Sequence, residues 1–204
     1  MKEPKAGPLK ESKASARILE AAIELFAEYG YFGTTIRDVA KKADVTAMTI
    51  YRLFKSKEGL FEMALKAVTK GSLDQAHFLL TVFQNKDKKH VQAHVPAAVR
   101  HWYDSVSRQP ARLMMYAYLS ENEKWRDMAY SPVEDIIEVL AGTLDETIDK
   151  KIKRRPKAAV VARTLILALF QFKIAHPKIK SAREETAAVE DILNEWLVGV
   201  FPES

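Results

Sequence analysis

An all-α fold is what this chain predicts: an N-terminal three-helix helix-turn-helix domain joined through a long helix to a larger C-terminal helical domain, with about nine helices in total. Three observations point there. Apolar residues recur at helical spacing from Ile18 onward, the mark of amphipathic helices. No segment alternates apolar and polar residues between Asn-Gly or Asp-Gly turns, as hairpin strands would. Hydrophobic residues make up 48% of the 204 and aromatic residues 9%, which is enough apolar material for a packed core and argues against a disordered chain.

The first helix is read from Ile18, Ala21, Ala22, Leu25, Phe26 and Tyr29, which share one face, with Glu20, Glu24 and Glu28 on the other. Gly30 and Gly33 then stop it. Thr35 and Asp38 stand at capping-box spacing ahead of Val39, Ala40 and Ala43, so a short second helix starts there. Asp44-Val45-Thr46 is the connection, with Asp44 a residue type that tolerates a left-handed backbone. Thr46 caps a third helix to about Phe54, whose Ile50 and Phe54 turn inward at i and i+4. Ser56 caps a fourth that begins Lys57-Glu58-Gly59-Leu60-Phe61 and runs on through Leu65 and Val68. Two short helices across a tight turn, with longer helices on either side, describe a helix-turn-helix unit.

Beyond residue 70 the pattern stays helical, punctuated by 85–89, Pro96, Pro110, Pro132, Pro156 and Pro177. Because proline suits a first helical turn and breaks an interior, Pro96, Pro110, Pro132 and Pro156 are expected to open helices. The helix after Pro156 is apolar nearly all round, from Val160 and Val161 to Phe172 and Ile174, and must be buried on most sides. The last, about 183–201, keeps one stripe through Ala187, Val189, Ile192, Leu193, Trp196, Leu197 and Val200. The expected organisation is a disordered leader over 1–13, a helix-turn-helix domain over 14–58 and a second domain over 59–204, with no repeat and no flexible linker.

Composition excludes several classes. There is no cysteine, hence no disulfide, thiolate metal site or cysteine nucleophile. Met1 to Ser15 carries charges and prolines without an apolar h-region, so no secretory signal is read. The apolar stretch Ala158–Ile174 is interrupted by Arg163 and Lys173, too short to span a bilayer, and a soluble cytoplasmic protein is expected. The seven glycines build no phosphate-cradling loop and no nucleophile elbow, which leaves an enzyme without a visible site. His90, His94 and His101 recur on one helical repeat, but Pro96 interrupts it and no carboxylate joins them, so surface histidines are expected and no metal or cofactor. The run Lys150–Arg155 follows Glu134, Asp135 and Glu138 of the same expected helix and complements its dipole. The formal net charge is +5, and residues 1–57 hold eleven Lys/Arg against seven Asp/Glu. The basic excess sits at the end expected to meet a polyanion.

The segment Ala14–Leu65, and within it TTIRDVAKKADVTAMTIYRLFKSKEGLF from Thr34 to Phe61, resembles the DNA-binding domain of the tetracycline-repressor (TetR) family of bacterial regulators. The resemblance rests on Phe26-Ala27, Tyr29-Gly30, Thr34-Thr35, Val39-Ala40, Val45, Thr49-Ile50-Tyr51, Phe54 and Ser56-Lys57, about a quarter of the chain. The remainder matches only in length and helical layout.

A helix laid in the major groove reads bases with its N-terminal side chains, while flanking groups hold phosphates. On that geometry Thr46, Ala47, Met48 and Thr49 face the groove floor. Family members often carry a more polar residue at the position of Ala47, so direct readout is thin here. Arg37 and Arg52 are then the stronger base readers, because arginine grips guanine in a bidentate way. The family typically places the Tyr51 phenol on phosphate, and Lys57 falls in the first turn of the fourth helix, where free N–H groups favour an anion. Thr35 and Lys55 are further expected phosphate contacts.

The resemblance also implies a homodimer, with Leu165, Leu169, Ile192 and Trp196 at the interface of the last two helices. It implies a small hydrophobic or amphipathic effector bound among His101, Trp102, Tyr103, Met114, Met115, Tyr118 and Phe170, flexible and aromatic side chains suited to an adaptable pocket. The function expected is a repressor that holds a palindromic operator and is released by that effector. The competing readings are a DNA-binding protein without sequence preference and, behind it, a helical enzyme.

Overall fold

The computed structural model describes residues 8–83, 88–105, 107–147, 157–175 and 181–200. Nine α-helices lie in them and no strand: α1 (Pro8–Gly33), α2 (Ile36–Lys42), α3 (Ala47–Phe54), α4 (Lys57–Phe83), α5 (Lys88–Ser105), α6 (Arg108–Tyr118), α7 (Glu123–Thr147), α8 (Ala158–Ala175) and α9 (Ala182–Val200). Two compact units form: Met1–Thr69 with Arg112–Ala129, and Lys70–Ala111 with Tyr130–Ser204.

The first unit is organised around Phe61 of α4. Its ring meets Phe26 edge-on at 5.0 Å, Trp125 of α7 at 4.4 Å, Tyr31 at 5.4 Å and Tyr116 of α6 at 6.1 Å. Ile18, Ala22 and Phe26 of α1, Val39 of α2, Ile50 of α3, and Leu60, Ala64 and Leu65 of α4 are all fully buried. A Lys124–Glu62 ion pair at 2.5 Å adds a polar tie between α7 and α4. Helices of 7 and 8 residues are marginal alone, so α2 and α3 depend on what they bury, Ile36, Val39 and Ala40 from α2 and Ile50 and Phe54 from α3.

In the second unit α5, α7, α8 and α9 bury Val99, Trp102, Tyr103, Ile137, Leu140, Leu144, Leu165, Ile166, Leu169, Val189 and Leu193. Polar ties join these helices as well. Arg163 forks onto both carboxylate oxygens of Glu134 at 2.6 and 2.7 Å and also reaches the Tyr130 hydroxyl. Arg100 donates to Asp104, to the Thr186 carbonyl and to the Thr186 hydroxyl, joining α5 to α9.

The proline expectation holds in part. Pro110 is the third residue of α6, as expected. Pro96 lies inside α5, and α7 runs without a break through position 132, so neither opens a helix. Each is flanked by strong helical packing, which outweighs the loss of one backbone donor. Helix α1 starts at Pro8, inside the leader expected to be disordered, where charged helix formers carry no apolar stripe to reveal it. Pro156, Pro177 and the run Lys150–Arg155 lie outside the described residues, and the His90 side chain is likewise not described.

Candidate nucleic-acid interface

The turn between α2 and α3 is fixed by its backbone. The Val45 N–H reaches the Ala40 carbonyl at 3.0 Å and the Asp44 N–H reaches Lys41 at 3.4 Å. With Asp44 at φ 52, this is a Schellman ending in which aspartate takes the place usually held by glycine. Thr35 and Asp38 form the full capping box of α2: the Thr35 hydroxyl accepts from the Asp38 N–H at 3.2 Å, and the Thr35 N–H and hydroxyl both donate to the Asp38 carboxylate. Those bonds hold the Asp38 carboxyl below the usual carboxylate range. Thr46 caps α3 by accepting from the Thr49 N–H at 3.2 Å, and Ser56 caps α4 by accepting from the Gly59 N–H at 2.9 Å. Each cap is worth about 1 kcal/mol.

Helix α3 presents two faces. Ile50 and Phe54 are buried. Met48 (75% exposed), Tyr51, Arg52 and Lys55 line the opposite side, with Thr46 at its start, and Ala47 and Thr49 are half-buried beside them. Arg37 is exposed on α2. A short helix with a wet, cation- and hydroxyl-bearing face, locked at its start by caps and underneath by a core, is shaped to enter a groove.

Three of the expected phosphate contacts are already engaged inside the protein. The Thr35 hydroxyl belongs to its capping box. The Lys55 ammonium donates to the Arg52 carbonyl at 3.2 Å and helps to end α3. The Lys57 ammonium lies over the Tyr31 ring, 4.4 Å from its centroid, and partial burial lowers its pKa. Lys55 itself takes φ 70, and the Ser56 N–H reaches back to the Phe54 carbonyl at 2.8 Å, closing a positive-φ γ-turn.

Two structural residues of this site have no obvious sequence signal. The buried Thr34 hydroxyl sits between the Leu25 and Gly30 carbonyls, 3.0 and 2.9 Å away, and so satisfies the end of α1. A Cβ on Gly59 would stand 2.3 Å from the Phe54 carbonyl oxygen, so α4 approaches α3 closely enough to require glycine.

In the second unit Trp102, Tyr103, Leu169, Phe170 and Lys173 line a small cleft of about 170 Å³, open to solvent. The Tyr103 hydroxyl donates to Glu185 at 2.7 Å, and the Lys173 ammonium pairs with the same carboxylate at 3.2 Å while lying 4.1 Å from the Tyr103 ring centroid. These partners hold the Glu185 carboxyl below its usual range, the Tyr103 bond contributing most. Burial, followed by that bond, pushes the Tyr103 phenol far up. Of the expected effector residues, Trp102, Tyr103 and Phe170 line the cleft. His101 is exposed, and Met114, Met115 and Tyr118 belong to the other unit. Leu169 and Lys173 were not expected there.

The expected interface residues are also redistributed. Leu165 and Leu169 are 1% and 0% exposed and lie in the chain's own core; Ile192 and Trp196 are half-buried, and the Trp196 indole N–H donates to the Val161 carbonyl. Among the described residues, the exposed large apolar side chains of α8 and α9 are Val160, Leu167 and Val198. A helix apolar all round does not reveal from its sequence which stripe faces out.

A capped two-helix motif with an exposed reading face, on an all-helical chain, defines a helix-turn-helix DNA-binding protein. Among the described residues no helix is long and apolar enough to cross a membrane, and no three metal-ligating side chains come together.

Residues 18–64 match the family model described as bacterial regulatory proteins, tetR family. The Staphylococcus aureus biofilm operon icaADBC HTH-type negative transcriptional regulator IcaR is 28% identical over 139 residues, 67% of this chain and 71% of that one. The Bacillus subtilis HTH-type transcriptional regulator YvkB, itself uncharacterised, is 49% identical over 49 residues, 24% of this chain and 26% of its own. Among solved structures, a TerR/AcrR family transcriptional regulator from Aquifex aeolicus superposes with TM-score 0.62 at 25% identity, covering 92% of this chain and 99% of that one. The Bacillus subtilis FadR, solved with stearoyl-CoA, shares the fold with TM-score 0.66 at 18% identity over 90% and 98% of the two chains. The family and these relatives are regulators, not enzymes.

Proposed function

We propose that the chain is a repressor that binds a near-palindromic DNA operator as a homodimer in the cytoplasm and lets go when a small hydrophobic or amphipathic molecule occupies its second unit, with no catalytic role. The exposed face of α3, held by caps at both of its corners, is the observation that carries this. The negative action named for the Staphylococcus aureus relative supports the direction of regulation.

In this reading Arg37 and Arg52 address base edges, while Tyr51, Lys55, Lys57 and Thr35 meet the sugar-phosphate rails. The Lys57 ammonium, partly desolvated over Tyr31, gains most from a phosphate, because a counter-anion offsets the cost of its burial. Two recognition helices about 34 Å apart meet successive major grooves, so a dimer fits the geometry. Val160, Leu167 and Val198 are the apolar side chains that α8 and α9 leave for a second copy, with Ile192 and Trp196 beside them and Leu165 and Leu169 as the layer behind.

The effector is proposed to enter the cleft between α5 and α8. Pockets for drug-sized molecules run to about 300–1,000 Å³; the cleft, whose volume of about 170 Å³ already includes open solvent, has to widen to hold one, and the ligand must prefer the widened state to act as a switch.

Footprinting of the full chain on DNA flanking its own gene tests the whole reading. A protected stretch with two-fold symmetry is expected. Uniform protection with steep salt dependence would replace it with non-specific binding.

A further inference from the structure

The first turn of α3 is short of polar reading groups. Ala47 has none, and Met48 carries only a thioether, yet it stands 75% exposed, a large apolar side chain that the fold does not use. Thr49 has a hydroxyl, but it lies 3.0 Å from the Thr46 hydroxyl, which also accepts the Thr49 N–H. The two threonines are therefore clasped to one another across the cap. A base edge asking for the Thr49 hydroxyl has to compete with that clasp, whereas the Thr49 methyl, the Met48 side chain and the Ala47 Cβ have nothing to give up. In the major groove the one apolar group on a base edge is the thymine C5-methyl.

Resting on the reading of this chain as a DNA-binding regulator, we propose that the first turn of α3 specifies its half-site by contact with thymine methyl groups through Ala47, Met48 and Thr49. The Thr46–Thr49 hydroxyl pair occupies the Thr49 hydroxyl within the cap and leaves its methyl as the group offered to the groove. Polar readout is left to arginines outside this turn.

Replacing thymidine by deoxyuridine removes the methyl and leaves pairing and every hydrogen-bonding edge intact. Duplexes are first enriched from a random-sequence library with the full chain, and the winning duplex is resynthesised with deoxyuridine at each thymidine in turn. Affinity is then read by fluorescence anisotropy at one salt concentration. Burial of one methyl predicts about a fourfold loss for each contacted thymidine. Met48→Ala, at an exposed position, should bring the thymidine-to-deoxyuridine ratio close to one at one position of the half-site. Thr49→Val keeps the methyl and should retain discrimination, whereas Thr49→Ser keeps the hydroxyl and should lose it. A specifically bound duplex that tolerates deoxyuridine everywhere, or discrimination surviving in Thr49→Ser but lost in Thr49→Val, overturns the proposal. Failure to enrich any duplex overturns the parent reading, and this one with it.

Discussion

Gly30 ends the straight part of α1 with φ 71 and ψ 178, a conformation essentially reserved for glycine. A Cβ there would also meet the Tyr116 ring at 2.8 Å. Gly30→Ala is therefore expected to destabilise the first unit by at least about 1–3 kcal/mol from backbone strain alone, seen as a lowered denaturation midpoint; an unchanged midpoint would mean the bend is not imposed. Glycine at this position was legible as a stop signal. Thr34, which satisfies the carbonyls left by the bend, was legible only as half of the Thr34-Thr35 pair that carries the family resemblance, because its long-range partner at Leu25 is nine residues back. The same divide separates Asp44 from Lys55. Aspartate is a recognised left-handed residue, so the α2–α3 turn could be read. Lysine is not, and φ 70 at Lys55 is imposed by the Ser56 N–H closing onto Phe54 and by the close pass of Gly59.

At the level of helices, caps located the starts of α2, α3 and α4 because each is set by local hydrogen bonds: Thr35 with Asp38, Thr46 with Thr49, Ser56 with Gly59. In the C-terminal half the boundaries are set by packing, and proline misled at Pro96 and position 132. Ion pairs there make a pH prediction. Partial burial pushes the Glu134 carboxyl up, but the bonds from Arg163 and Tyr130 outweigh it and the group ends below the usual 4.5. Glu185 is lowered in the same direction by Tyr103 and Lys173. Below 4.5 the folded state thus binds fewer protons than the unfolded one, so the stability from these pairs is complete above that pH and drains as pH falls through the lowered values. Melting temperatures between pH 6 and pH 3 should fall on the acid side, and Glu134→Gln with Glu185→Gln should lower the neutral value and flatten the acid slope. An acid slope as steep as wild type in the double variant would place the sensitivity elsewhere.

For the molecule as a whole, the uneven charge is the feature that sequence and structure agree on most directly. The basic excess of residues 1–57 coincides with the unit that carries the exposed α3 face, which favours capture of a polyanion at that end. The proposed effector site was the least legible part. Aromatic and methionine residues between 101 and 130 divide between two units, and only the fold shows that Lys173, Leu169 and Glu185 gather around Trp102 and Tyr103. The decisive measurement is the affinity of the purified full chain for its enriched two-fold duplex against a scrambled duplex of equal length and composition, at one physiological salt concentration. A sequence-reading regulator is expected to prefer the first by about 10³-fold or more, with two chains per duplex. Equal affinity for the two, or no binding to either at low salt, would contradict the account.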